Sequence, residues 1–336
     1  FDKFHLTSFQ KKKKKKKRKM HNRKKLDRPP TDAEQAMAKS KCETYSALIN
    51  MVFKQKKLSE YNLESLNLAG KMLKVNPDIY SLWNYRREIL CFMNPVLEDV
   101  TKSKLVSAPQ LDEIKKQELA LTADAIKRNP KSYGAWHHRA WVLDHFQVDI
   151  ESELILCALL LKADQRNFHC WNYRRYVVSC GNVSPQQEFS FTTTKIQENF
   201  SNYSAFHHRS IFIKLQKSNL QELIITEFAL IENAIFTEPD DQSAWWYHQF
   251  LLKWALEHIN KEKSEDTIDW FEVVIKQQLN MMRSLLEIEG NCRWVMLCII
   301  SLLEVQLSPV FVSRVDSSLL ESMNKERRKL LRKLIN

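Results

Sequence analysis

The chain has 336 residues, 44% of them hydrophobic, with only four glycines, nine prolines and seven cysteines. That supplies the core of one large domain or two ordinary ones, and so little glycine argues against sandwiches, barrels and Gly-rich phosphate loops. The net charge of +12 lies in residues 1–28, which carry 14 Lys and Arg against two Asp, while the rest balances 38 basic and 38 acidic side chains, so the body has no bulk electrostatic claim on nucleic acid.

In chain order, residues 1–30 read as a disordered basic tail, because Lys11 to Lys19 is an unbroken cationic block that repels itself. Such a block can act as a nuclear localisation signal or a nucleic-acid arm; a solvated tail is the reading favoured here. Met20 reads as a native initiator, which places His21 second. Thr31-Asp32-Ala33-Glu34 is a capping box after Pro29-Pro30 and predicts a helix through about Gln55.

An internal repeat follows. NPDIYSLWNYRR (76–87), NPKSYGAWHHRA (129–140), DQRNFHCWNYRR (164–175) and NFSNYSAFHHRS (199–210) align without gaps. Each holds an aromatic, a second aromatic three residues on, and an Arg three after that: Tyr80, Trp83, Arg86; Tyr133, Trp136, Arg139; Phe168, Trp171, Arg174; Tyr203, Phe206, Arg209. Weaker copies centre on Trp245 and Trp294, with His248 and Leu297 in place of Arg. A unit of about 35 residues accommodates two helices and two tight turns. Asn76-Pro77 and Asn129-Pro130 are expected to cap the repeat helix, with Pro at its first position. The Trp column reads as core, and the Arg as stacking or pairing at the helix end.

The stretches 111–128 and 149–164 are amphipathic and read as partner helices of each hairpin. The expected fold is all-α: a right-handed α-α superhelix of about six helical hairpins over residues 31–308, then a basic helix in 309–336 (about Ser317 to Leu334). The longest apolar run, Trp294 to Leu303, is too short to span a bilayer. An odd cysteine count without Cys-x-x-Cys pairs or a secretory segment reads as reduced thiols in a cytoplasmic protein.

The N-P-x-x-Y-x-x-W-x-x-R pattern resembles the repeat of protein prenyltransferase α subunits, over roughly residues 31–306. NPKSYGAWHHRAW, RNFHCWNYRRYV, NFSNYSAFHHRS and DDQSAWWYHQFLL are more similar to the type II, Rab geranylgeranyltransferase branch than to the farnesyltransferase branch. The resemblance implies one half of a heterodimer whose β subunit holds the zinc and the isoprenoid tunnel. It implies attack of a Rab C-terminal Cys on geranylgeranyl diphosphate, with the Rab presented by an escort protein; the balanced charge of the body and its short apolar runs give the expectation of no nucleic acid and no membrane anchor. Lys131 matches the family's lysine near the diphosphate, Tyr133 the neighbouring tyrosine, and His169 a histidine by the same pocket; Phe168 stands where the farnesyl-type subunit has Tyr. His21 matches the second residue that reaches the β-subunit zinc as an inhibitory ligand. The 49 residues between Trp245 and Trp294 leave no room for the immunoglobulin-like insert of animal forms, and the 29 after Leu307 none for their leucine-rich repeats, so a compact helical form is expected.

Judged without the resemblance, Lys131 is a solvated turn lysine, Tyr133 a packing aromatic and His169 an interhelical histidine. Two alternatives stand beside the type II reading: the shared α subunit of farnesyltransferase and type I geranylgeranyltransferase, and a non-enzymatic helical scaffold.

Overall fold

The computed structural model describes residues 29–93, 108–215, 219–262 and 264–335; the basic block and His21 lie outside them. The described residues form helices and no strands. Helix α1 (Asp32–Lys57) starts at the expected capping box, with Thr31 and Glu34 satisfying each other's backbone N–H groups. Six hairpins follow: α2 (Leu63–Val75) with α3 (Tyr80–Met93), α4 (Ala108–Arg128) with α5 (Tyr133–His145), α6 (Ile150–Ala163) with α7 (Phe168–Cys180), α8 (Pro185–Glu198) with α9 (Tyr203–Phe212), α10 (Leu220–Thr237) with α11 (Gln242–Glu262), and α12 (Glu265–Glu289) with α13 (Arg293–Gln306). The second helices, α3 through α13, pack on one another in succession. Beyond the α2–α4 pair the first helices pack on one another less closely than the second helices do, and that difference curves the stack into a solenoid. A short α14 (Pro309–Val312) and α15 (Ser317–Ile335) close the far end. Met323 and Leu330 of α15 are buried, and Arg283–Glu326 (2.6 Å) and Arg327–Glu304 (2.7 Å) pin it to α12 and α13.

The turns correct one expectation. Asn76 and Asn129 do not cap the helix that follows. Their side chains, like those of Asp164 and Asn199, accept from the backbone N–H two residues on at 3.0–3.2 Å. Each therefore closes a tight Asx turn, and the helix starts three residues beyond the expected first position, at Tyr80 or Tyr133. The proline carbonyl inside that turn accepts the indole N–H six residues on, Trp83 to Pro77 at 2.8 Å and Trp136 to Pro130 at 2.9 Å. The next repeat reaches the same oxygens: Ser132 Oγ donates to Pro77 (2.9 Å) and Asn167 Nδ2 to Pro130 (3.1 Å). Turn and stacking are thus one hydrogen-bonded unit.

The Arg column pairs as expected and in part stacks, with Arg174 over the Phe191 ring at 3.4 Å and Arg209 over the Phe189 ring at 3.9 Å, but most of it lies away from the helix ends. Arg86, Arg139 and Arg174 lie buried in mid-helix, and Arg209, also buried, lies in the last turn of α9. Each grips a buried glutamate on the first helix of the next hairpin with two N–H groups: Glu118, Glu153, Glu188 and Glu227. Each also donates to a carbonyl in its own hairpin, at Leu66, Leu119, Leu154 and Phe189. A further side chain, two residues after the central Trp or Phe of the glutamate's own hairpin, completes each carboxylate: His138, Tyr173, His208 and Tyr247 at 2.7–2.9 Å. Burial pushes Glu118 up, but the charge of Arg86 and the hydrogen bonds outweigh it and bring the carboxyl to about 2. At the fifth junction His248 faces Gln278 at 3.1 Å, so a neutral pair replaces the ion pair on both sides at once.

The sixth copy is centred on Met296, not Trp294. Helix α13 starts at Arg293, three residues before Met296, as α3 starts three before Trp83. Met296 is buried, Trp294 only partly, and buried Ile299 takes the Arg place assigned to Leu297. The turn before α13 has three residues and passes through Gly290 at φ 64°, so the motif's spacing is lost there.

Candidate functional site

The Asx turn at 129–131 and the first turn of α5 carry Lys131 and Tyr133; the first turn of α7 carries His169. Stacking of consecutive hairpins brings the three together. Tyr133 meets the His169 ring edge-on with centroids 4.3 Å apart at 89°, and Phe168 packs on His169 at 4.0 Å and on Tyr133 at 6.2 Å. His169 is 6% exposed, whereas Tyr133 is 57% exposed. The reading of Tyr133 as the repeat's packing aromatic is therefore corrected. Tyr80, Phe168 and Tyr203 are likewise half-exposed, so the first aromatic of each triplet is a surface row and the second is the core.

Burial, and next the ammonium of Lys131, hold His169 below the usual histidine range. Its imidazole is neutral near pH 7. Neither the Lys131 ammonium nor the Tyr133 hydroxyl has a partner among the described residues. The corresponding side chains of other turns are committed: Asp78 accepts from Asn129 Nδ2 at 2.8 Å, and Arg166 donates to the Ser201 carbonyl at 2.5 Å. Ser132, the N-cap of α5, spends its hydroxyl on Pro77 and makes no cap hydrogen bond. The start of α5 therefore carries three features within a few residues: an uncommitted ammonium, an uncommitted phenol and the positive end of a helix. Together they can hold a phosphate-bearing anion.

Comparing the repeats with one another isolates His169. The position after the first aromatic is Ser81, Gly134, Ser204 and Ser243 in the other copies, small because it packs against the preceding hairpin. A bulky titratable ring there departs from the packing rule. Next to this group, on the same face, Arg87 Nη1 lies 2.9 Å from His137 Nδ1. The adjacent histidines diverge: His137 turns outward and His138 inward onto Glu118. Among the described residues no group of three His, Cys, Asp or Glu could hold a metal ion, and no helix is long and apolar enough to cross a membrane. Cys42, Cys157, Cys170, Cys180, Cys292 and Cys298 are free thiols.

The family model described as the protein prenyltransferase alpha subunit repeat matches residues 63–93, 115–146, 150–181, 185–215 and 224–255, the first five hairpins. The chain is 39% identical over 248 residues to a Homo sapiens geranylgeranyl transferase type-2 subunit alpha, covering 69% of this chain and 42% of that one. A Dictyostelium discoideum relative of the same name is 36% identical over 276 residues, covering 79% of this chain and 83% of the relative. A Saccharomyces cerevisiae relative, again of that name, is 30% identical over 223 residues, covering 62% and 64%. The chain spans less than half the length of the mammalian relatives it matches. Among solved structures, a Candida albicans protein geranylgeranyltransferase-I complexed with GGPP shares the fold, with a TM-score of 0.57 at 18% identity over 86% of this chain and 91% of that one.

Proposed function

The chain belongs to the family of geranylgeranyl transferase type-2 α subunits, and from that premise we propose that it forms one half of a heterodimer that transfers geranylgeranyl to C-terminal cysteines of escort-bound Rab proteins. The observation that carries the reading is the agreement, along five repeats and 276 aligned residues, with relatives that bear that name.

The reaction joins a cysteine sulfur to C1 of the isoprenoid while the C1–O bond breaks, and its electron pair leaves with the diphosphate. Charge builds on the departing oxygens, so donors fixed there beforehand lower the barrier. In this reading Lys131 supplies an ammonium and Tyr133 a hydroxyl. Neutral His169 orients the Tyr133 ring through its edge contact. A zinc ion carried by the β subunit would supply a lowered thiol pKa. His21, which the family pattern assigns as an inhibitory ligand to that zinc, lies outside the described residues.

The test is co-expression with the candidate type-2 β subunit, supplied with geranylgeranyl diphosphate and a Rab protein, with and without escort protein. Escort-dependent transfer to Rab is expected. Transfer to a Cys-a-a-X peptide instead would move the chain to the farnesyl and type I class, and a complex without transfer would leave a scaffold. Within an active heterodimer, Lys131→Ala is expected to lower kcat by about 10²-fold, as loss of one transition-state donor does, with β binding unchanged. An unaltered rate removes Lys131 from the site.

A further inference from the structure

We infer that the groove between the start of α13 and the face of α15 is a pocket for a compact, multiply phosphorylated ligand. It is a cavity of about 840 Å³, within the size range of small-molecule sites. One wall is a stripe of cations on α15: Lys325, Arg328, Lys329, Arg332 and Lys333, spaced by three and four so that they share one helix face. The opposite wall is Asn291 and the N-terminal end of α13, whose N-cap Cys292 supplies no side-chain acceptor to the first-turn N–H groups. That end carries partial positive charge.

The cations are uncommitted. None of the five has an ion-pair partner among the described residues, whereas Arg327, elsewhere on the same helix, is paired to Glu304. The one carboxylate in the lining, Glu321, lies at the far end of the stripe, four residues before Lys325. Like charges at spacing four repel, and Lys325–Lys329–Lys333 and Arg328–Arg332 all do so. A stripe on an open convex face would spread that repulsion into water; here it converges on a concavity. A bilayer surface, being flat, reaches only the rim of such a groove, and an insertion face would need apolar side chains beside the cations. A ring bearing three or more phosphates fits both the shape and the charge, whether free or as a lipid headgroup. This inference does not depend on the proposed transferase reaction.

The experiment is isothermal titration of the full chain with inositol hexakisphosphate at about 0.15 M ionic strength, where diffuse surface attraction is screened within about 8 Å. Saturable 1:1 binding is expected. The exposed double variant Lys329→Glu/Arg332→Glu is expected to weaken it at least about tenfold, since each charge-assisted hydrogen bond contributes a comparable factor, with an unchanged unfolding midpoint. A second variant, with Lys11 to Lys17 replaced by Gln, is expected to keep the binding and so separates the groove from the basic tail. Flotation with phosphatidylcholine vesicles, plain or doped with phosphatidylinositol bisphosphate, distinguishes the sources: capture by doped vesicles alone assigns a lipid headgroup, and no capture assigns a free ligand. Absence of saturable binding, survival of it in the double variant, or its loss with the tail substitution overturns the proposal.

Discussion

Gly134 shows how a single position is decided by its neighbours. A Cβ there would lie 2.5 Å from Trp83 Cδ1 and 2.8 Å from its Nε1. The indole cannot retreat, because it is buried and its N–H is spent on Pro77. Helix propensity favours Ala over Gly by about 1 kcal/mol, so an isolated α5 would gain from Gly134→Ala. In the fold, overpacking is expected to win and to lower stability by about 1–3 kcal/mol. Urea unfolding decides it, and a raised midpoint would show that the two hairpins can part. The same position explains how far the candidate site was legible. Lys131, Tyr133 and His169 stood out through family resemblance, but nothing along the sequence says that residues 131 and 169 share a spot. That needs the turn of one repeat stacked on the first turn of the next.

At the scale of the elements, the junction between hairpins is a buried Arg–Glu grip, and the fifth junction shows what it tolerates. His248 and Gln278 fill the same two places without charge, with the Cys298 thiol 3.5 Å from the imidazole. Burial holds His248 down to about 4, so the pair stays neutral. His248→Arg alone would bury a cation against an amide, and a loss of about 3–5 kcal/mol is expected. Adding Gln278→Glu rebuilds the grip of the other junctions and is expected to return at least about 2 kcal/mol as coupling between contacting sites. A double-mutant cycle by chemical unfolding checks this; simple additivity would mean that the grip is incidental to junction stability. The glutamates recur at 118, 153, 188 and 227, in step with the central aromatics at 136, 171, 206 and 245. The signal was therefore present in the sequence. It went unread because a Glu in an amphipathic helix ordinarily faces water.

Summed over the whole molecule, these junctions predict how the solenoid responds to acid. His138 and His208 are buried, and burial outweighs their bonds to Glu118 and Glu188 and pushes both down. Each has a buried Nδ1 without a partner, which suits a bare lone pair and would strand a proton. Together with His248 they bind protons more weakly folded than unfolded. Their stabilisation is complete above the unfolded value near 6.5 and drains as pH falls below it. Three protons correspond to a slope of about 4 kcal/mol per pH unit at its steepest. Glu118 and Glu188, held below 4.5, add a further loss under that pH. Unfolding midpoints between pH 7.5 and 4.5 should therefore drop chiefly from pH 6.5 downwards. A flat profile there would mean that the histidines are not held neutral.

The sequence by itself determined the fold class, the repeat and the number of hairpins. Those are carried by local matters: hydrophobic periodicity, turn residues, and a Trp at fixed spacing whose large apolar surface must be buried wherever it recurs. It also carried the family. Only the tertiary structure decided which aromatic of each triplet is core and which is surface, where Arg86 and its counterparts find their charge, and that Met296 holds the sixth centre. Each of those depends on what the neighbouring hairpin brings to within a few ångströms. Ion pairs, ring contacts and Cβ clashes are short-ranged, so residues that lie together in space yet 14 to 55 apart along the chain cannot be matched until the stack is assembled.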